Sequence, residues 1–219
     1  MSAHIEDSLK NGAREVGVVL NQKMVQAFLL YLSELKEWNK KINLTSLKED
    51  ESIVTNHFID SLSIIPYLPS SATVLDLGSG AGFPGVPLKI AAPALTITLL
   101  EATRKKANFL RHITRILGLT NIAVVECRAE KFSQAAPAHP GFGFVLARAF
   151  APLKTLLRLG YPLVRQSGYL VAMKGEKADE ELKKSQTLLE ELSLTIDKKI
   201  MLLLPPNNKK RCLIFMKKE

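Results

Sequence analysis

A glycine-rich segment, VLDLGSGAGFPG at residues 74–85, contains a short apolar run followed by closely spaced glycines. Gly78, Gly80 and Gly82 can adopt positive φ angles and let the backbone pass close to a ligand. In many folds, such a turn from a strand into a helix holds the phosphates of a dinucleotide, because the helix start supplies free amides. The glycines alone are weak evidence, since many glycine turns bind nothing.

The residues around the glycines favour S-adenosylmethionine (SAM) over NAD. Asp76 stands two residues before Gly78, where a carboxylate suits the ammonium group of a methionine and repels a pyrophosphate. Phe83 is followed by two prolines within four residues, which leaves few amides to chelate phosphate. Glu101, at the end of the next predicted strand, can accept hydrogen bonds from both ribose hydroxyls, a role that an acid also plays in NAD enzymes.

Strands and helices alternate after residue 72. The pattern predicts strands at 73–78, 96–102, 122–129, 142–150 and 167–175, and two more near the C-terminus joined by a short turn. Alternation implies an α/β fold with a mostly parallel, doubly wound sheet, and the closing hairpin adds an antiparallel edge. This gives seven strands, an arrangement that resembles the Rossmann-like class I SAM methyltransferases rather than dehydrogenases.

Residues 1–70 are predicted to form an N-terminal helical extension, and residues 71–219 the SAM-binding domain. Apolar side chains recur at helical spacing after Asn21, which can serve as an N-cap. A second helix is predicted through residues 51–65 and ends at Pro66.

The net charge of +9 is unevenly distributed. Residues 1–70 carry 7 basic and 9 acidic side chains, whereas residues 71–219 carry 23 basic and 12 acidic ones, a net charge of +11. A basic segment of this kind attracts polyanions such as nucleic acid. A basic surface that only maintains solubility has the same composition, so charge alone does not distinguish nucleic-acid binding from solubility.

Other features narrow the class of protein. No apolar stretch approaches the roughly 20 residues of a membrane span, and the N-terminus lacks the apolar core of a secretory signal. Cys127 and Cys212 are far apart, which indicates free thiols rather than a disulfide or a metal site. We expect a cytoplasmic protein with no metal and no membrane association, and nothing requires more than a monomer.

Four stretches of the chain resemble one family: EWNKKINLTS (37–46), NHFIDSL (56–62), VLDLGSGAGFPGVPLKI (74–90), and ARAF (147–150) with MKG (173–175). From about residue 20 to the C-terminus, the chain is similar to the ribosomal RNA small subunit methyltransferase G family, also called the glucose-inhibited division protein B family. The resemblance implies SAM-dependent methylation of guanine N7 in 16S rRNA, at the position equivalent to 527, with 16S rRNA or the small ribosomal subunit as partner.

The same resemblance implies SAM contacts at Gly78, Phe83, Ala129, Glu130 and Arg148. The chain departs from the family where many members have a basic residue before the histidine of NHFIDSL, since Asn56 occupies that position. We expect His57 to be a hydrogen-bonded structural residue and Trp38 to pack in the core.

Methylation of guanine N7 needs no general base, because this nitrogen carries a lone pair and no proton at neutral pH. We therefore predict no catalytic acid or base, and alignment of the reactants as the main contribution. Arg128, Arg148 and Lys174 end predicted strands, on the side of an α/β sheet where ligands bind, and are the candidates to hold RNA. For Arg148, a salt-bridge role is the alternative.

Two other functions stay open at this point. One is a SAM-dependent methyltransferase of another RNA or of a small molecule, and the basic segment disfavours a small substrate. The other is a noncatalytic RNA-binding or assembly protein with a methyltransferase fold, which the intact Asp76, glycines and Glu101 disfavour.

Overall fold

The computed structural model describes residues 3–135, 140–205 and 208–219. The helices are α1 (Ala3–Glu15), α2 (Gln22–Asn39), α3 (Asp50–Ile53), α4 (Asp60–Leu62), α5 (Gly85–Ala91), α6 (Arg104–Ile116), α7 (Ala129–Gln134), α8 (Leu153–Gly160) and α9 (Ala178–Glu191). The strands are β1 (Thr73–Leu77), β2 (Thr96–Glu101), β3 (Ile122–Glu126), β4 (Phe142–Arg148), β5 (Val164–Lys174), β6 (Leu194–Leu204) and β7 (Lys209–Lys218). The predicted turn between the last two strands falls partly on residues 206 and 207, outside the described residues.

The strands form one sheet in the order β3-β2-β1-β4-β5-β7-β6. The first five are parallel, whereas β7 pairs antiparallel with β5 and β6 pairs antiparallel with β7. The predicted fold class, a mostly parallel seven-stranded sheet with a C-terminal antiparallel hairpin, is confirmed. The strand order reverses between β1 and β4, and open α/β sheets bind ligands outside the carboxyl ends of the strands at such a switch point.

Helices cover both faces of the sheet. Val74 of β1 packs in a cluster with the N-terminal helices, α5 and α6, whereas Leu75 and Leu77 pack with α8 and α9. Because side chains alternate along a strand, Asp76 faces the same side as Val74. The N-terminal helices share this cluster with the sheet, as in the contacts that bury Phe28 of α2. The division of the chain at residue 70 stays a prediction.

Several strand boundaries differ from those predicted. The third strand ends at Glu126 rather than at 129, and Ala129 begins the short helix α7. The fourth strand ends at Arg148 rather than at 150, and β5 begins at Val164, three residues before its predicted start. These segments are too short for periodicity to separate helix from strand. The helix predicted over 51–65 contains a π-helical turn, Val54–Ile59, a feature common at functional sites.

Candidate functional site

A cavity of about 450 Å³ lies at the switch point, outside the carboxyl ends of β1, β2 and β4. The glycine loop that follows β1 and two segments of the N-terminal helical extension contribute to its wall. The lining residues are 44–46, His57, 78–81, Phe83, 100–102, Lys106, Cys127, Ala129 and 148–150.

The three glycines of the loop have positive φ angles of 78°, 58° and 101°, in a region that favours glycine. A Cβ on Gly78 would lie 2.3 Å from the Phe150 ring, and one on Gly82 would lie 2.7 Å from the Tyr31 hydroxyl. A Cβ on Gly80 would meet no atom closer than 4.0 Å. Packing therefore requires glycine at two positions, whereas Gly80 borders open space that belongs to the cavity.

Three successive amides at the start of the loop are bonded within the chain. Those of Gly78 and Ser79 donate to the Leu100 carbonyl, at 3.0 and 2.9 Å. The Gly80 amide donates to Oε2 of Glu101 at 2.9 Å. Amides that are already paired cannot chelate a pyrophosphate, which supports the preference for SAM over NAD.

Glu101 lines the cavity and is held by the backbone around it. Its side chain is buried, and Oε1 accepts a hydrogen bond from the Thr103 amide at 2.7 Å. Because each carboxylate oxygen has two lone pairs, both oxygens can still accept a hydrogen bond from a ligand hydroxyl. This is the geometry expected of a ribose-binding acid.

Asp76 lies beneath the loop and not on the cavity wall. Its side chain is 0% exposed, and Oδ2 accepts a hydrogen bond from the Gly85 amide at 2.9 Å. Oδ1 is buried without a partner among the described residues, and burial raises the pKa of the carboxyl to about 7. The side chain does not line the cavity in this conformation, and its contact with an ammonium group stays a prediction. In this conformation Asp76 can act on a ligand only through its charge and through its hold on the start of α5.

Arg148 is fixed by the N-terminal helical extension. One guanidinium nitrogen donates to the Asn56 carbonyl and to Oδ2 of Asp60, both at 2.8 Å, and the other donates to Nδ1 of His57 at 2.8 Å. Asp60 is 1% exposed and also accepts a hydrogen bond from Nε of Arg211 at 2.9 Å. Arg148 thus lines the cavity and takes part in a buried ion-pair network, so both roles considered for it are compatible.

His57 connects this network to the cavity. Its ring stacks on Phe83 with centroids 4.4 Å apart, and its Nε2 lies 2.7 Å from Oγ1 of Thr45. Burial, and then the charge of Arg148, lowers its pKa to about 3. The imidazole is therefore neutral at neutral pH.

The structure gathers part of the predicted site. Around the cavity it places Gly78, Gly80, Phe83, Glu101, Ala129 and Arg148. Asp76, Gly82, Arg128, Glu130 and Lys174 do not line it.

Arg128, Glu130 and Lys174 lie outside the cavity wall for different reasons. The ammonium of Lys174 donates to the Ala151 carbonyl and to Oε2 of Glu181, both at 2.8 Å. Arg128 and Glu130 flank the start of α7 and are exposed. Lys174 ends β5 as predicted, whereas Arg128 lies two residues beyond the end of β3.

Sequence reasoning missed the contribution of residues 44–46. Asn39 organises this segment, because its Oδ1 accepts hydrogen bonds from the amides of Leu44 and Thr45, at 2.8 and 3.0 Å. Its Nδ2 also donates to the Thr45 carbonyl at 2.9 Å. The stretch EWNKKINLTS covers these residues and is one of the four that carry the family resemblance, so it was a signal that could have drawn attention to them. Trp38 packs against Phe109, with centroids 5.5 Å apart.

Two further features are absent from the residues that the structure describes. No group of three or more His, Cys, Asp or Glu side chains in them could hold a metal ion. None of their helices is long and apolar enough to cross a membrane.

Comparison with known proteins gives consistent matches. A model of the family GidB, rRNA small subunit methyltransferase G, matches residues 24–209. The chain is 40% identical over 213 residues to the ribosomal RNA small subunit methyltransferase G of Desulforamulus reducens, covering 96% of this chain and 89% of that one. It is 37% identical to the protein of the same name from Geobacter metallireducens, covering 99% and 97% of the two chains.

Solved structures with a similar fold share little sequence. The TYW2 protein of M. jannaschii in complex with AdoMet aligns with a TM-score of 0.61 and 10% identity, covering 82% of this chain and 80% of that one. Fibrillarin of Aeropyrum pernix, with natively bound S-adenosyl-L-methionine, aligns with a TM-score of 0.54 and 18% identity over 68% of each chain. At these identities the likeness concerns the fold alone.

Proposed function

This chain belongs to the rRNA small subunit methyltransferase G family, and from that premise we propose that it methylates N7 of one guanine in 16S rRNA, the guanine equivalent to position 527. It is a SAM-dependent methyltransferase of small-subunit rRNA. The proposal adds the atom, the nucleotide and the manner of transfer, which is direct and in line.

The cavity has features that suit SAM. Gly80 leaves open space beside the backbone, Glu101 offers acceptors for ribose hydroxyls, and the amides of residues 78–80 are withdrawn from phosphate binding. The charge of Asp76 beneath the loop favours a ligand that carries an ammonium and a sulfonium. When bound, SAM supplies a methyl group on a positively charged sulfur.

The observation that carries the proposal is that the histidine in the cavity is not available as a base. Nδ1 of His57 accepts a hydrogen bond from Arg148, and the pKa of the ring is lowered to about 3. Glu101 already accepts hydrogen bonds from two backbone amides. A nucleophile that must lose a proton therefore finds no acceptor in His57. Guanine N7 needs none, so the site matches it.

The residues of this chain would then act by binding and orienting the reactants. Gly78, Gly80, Phe83 and Glu101 are proposed to hold the cofactor, together with Ala129 and the neighbouring Glu130 for the adenine ring. For Glu130 this requires the exposed side chain to turn towards the cavity.

Three basic residues complete the proposed site. Arg148 is proposed to keep His57 and Phe83 in place and to contact SAM or the target base from the cavity wall. Arg128 and Lys174 remain candidates for RNA contacts outside the cavity. We propose a monomer that acts in the cytoplasm on 16S rRNA or the small subunit.

The decisive experiment maps N7-methylguanine in 16S rRNA from cells with and without this protein. We expect one modified guanine to disappear in the deletion strain and to return with the wild-type gene. An Arg148→Ala variant should lose turnover more than fold and should not restore it. An unchanged methylation map would refute the proposal, and methylation at a different base atom would refute the choice of N7.

The two alternative functions predict different outcomes. A small-molecule enzyme would show no affinity for 16S rRNA at moderate salt, whereas an RNA enzyme should bind with an affinity that falls steeply as salt rises. A noncatalytic assembly protein would bind RNA but show no heat of binding with SAM in calorimetry.

A further inference from the structure

Thr45 presents a hydroxyl group whose hydrogen-bonding roles are almost completely fixed. It lies in the cavity wall, in the segment that Asn39 holds by three hydrogen bonds to the backbone of residues 44 and 45. The position of its Oγ1 therefore depends on the scaffold and not on a mobile loop tip.

The direction of the hydrogen bond between Thr45 and His57 follows from the neighbour on the other side of the ring. A guanidinium can only donate, so Nδ1 of His57 must accept the hydrogen bond from Arg148, 2.8 Å away. In a neutral imidazole the proton then resides on Nε2. Nε2 consequently donates to Oγ1 of Thr45 across 2.7 Å.

A second donor occupies the same oxygen. The Leu47 amide donates to Oγ1 of Thr45 at 3.1 Å. A hydroxyl has two acceptor lone pairs and one hydrogen, and both lone pairs are now taken. Its hydrogen has no acceptor in the part of the chain that the structure describes. Towards the cavity, Thr45 can therefore offer a donor and no acceptor.

From this we propose that Thr45 is a specificity-determining residue, whose hydroxyl donates a hydrogen bond to O6 of the target guanine. This inference rests on the proposed function. Guanine presents the acceptors O6 and N7 side by side on its major-groove edge, whereas adenine presents an N6 amino donor in place of O6. A hydroxyl that can only donate a hydrogen bond therefore favours guanine. With adenine, the hydroxyl hydrogen would face a hydrogen of the N6 amino group. N7 stays free for methylation.

The experiment combines a change in the protein with a change in the RNA. One RNA carries the natural target guanosine, and a second carries 2-aminopurine riboside there, which keeps N7 but lacks O6. Thr45→Val removes the hydroxyl with little change in shape, and Thr45→Ser keeps both the donor and the acceptor. We measure kcat/KM for each pair of protein and RNA, and SAM affinity by calorimetry.

On the guanosine RNA we expect Thr45→Val to lower kcat/KM about 10-fold and Thr45→Ser to stay near the wild type. On the 2-aminopurine RNA, Thr45→Val and wild type should react at the same rate, because the partner atom is absent. SAM affinity should be unchanged. Since each comparison uses one RNA, the different intrinsic reactivity of the two bases cancels.

Each contrary result has a distinct meaning. An equal loss on both RNAs would assign Thr45 to holding His57 and Leu47, and would overturn the inference while the proposed function stands. Weaker SAM binding by Thr45→Val would overturn it in favour of a cofactor contact. Failure of the wild-type protein to methylate the guanosine RNA at N7, in free RNA and in the small subunit, would refute the proposed function itself.

Discussion

Gly80 offers a sharp test of where the cofactor binds, because the chain provides a matched control. Gly80 and Gly118 have φ angles of 58° and 61°. A Cβ would meet only the Gly78 carbonyl oxygen, at 4.0 Å, in the first case, and no atom within 4 Å in the second. Alanine therefore experiences the same backbone strain and no steric clash at either position. The two positions differ in location: Gly80 lines the cavity, whereas Gly118 follows the C-terminal end of α6.

The magnitudes follow from this geometry. Placing alanine in the left-handed region costs about 1–2 kcal/mol, so both variants should lose this much unfolding free energy and stay folded. In Gly80→Ala the new methyl group also enters the space where the cofactor meets the backbone. An overpacked contact costs about 1–3 kcal/mol, which corresponds to roughly 5- to 150-fold weaker binding. Gly118→Ala should bind SAM as the wild type does.

Two measurements decide the outcome. Urea unfolding gives the stability of each variant, and isothermal titration calorimetry gives its dissociation constant for SAM. Equal SAM affinities for Gly80→Ala and Gly118→Ala, with equal stability losses, would show that the open space beside Gly80 is not the cofactor site. An equally weakened affinity in both variants would show that backbone strain, and not the methyl group, controls binding.

Further predictions concern the buried charges. Asp60→Asn should lower the unfolding free energy by about 3 kcal/mol, because two guanidinium groups lose their buried partner. Urea unfolding measures this loss. As a control, Asp179→Asn, which removes a more exposed ion pair with Lys199, should match the wild type. The pKa of Asp76 is raised to about 7, and a bound cation should lower it, so SAM should bind more tightly as pH rises from 6 to 8 and should release a proton. Calorimetry in two buffers of different ionisation enthalpy measures that release, and an equal release by Asp76→Asn would contradict the assignment. The pKa of His57 is lowered to about 3, so between pH 6.5 and 4 the unfolded chain takes up a proton that the folded chain does not. As pH falls through that range, the wild type should lose stability relative to His57→Gln by up to about 1.4 kcal/mol per pH unit, and parallel stability curves would refute a neutral buried His57.

The fold and the position of the site follow largely from local sequence patterns. The apolar run before the glycine loop, the regular alternation of strands and helices, and the final strand pair without an intervening helix predicted the seven-stranded sheet correctly. Since the carboxyl ends of parallel strands meet at one edge, the residues after β1, β2 and β4 could be placed near each other. Gly78, Gly80, Glu101 and Arg148 were located in this way, because their positions depend on backbone topology.

The tertiary structure decided what each side chain does there. Asp76 was expected at the ligand, but the alternation of β1 directs it under the loop, where it binds the Gly85 amide. Arg148 was known to end a strand, but its partners His57 and Asp60 are about 90 residues distant in the chain. No local pattern encodes such a contact, since it depends on the docking of the N-terminal helices on the sheet. Side-chain direction, burial and proton location are set by these long-range contacts, which place a neutral His57 between Arg148 and Thr45 in the cavity wall.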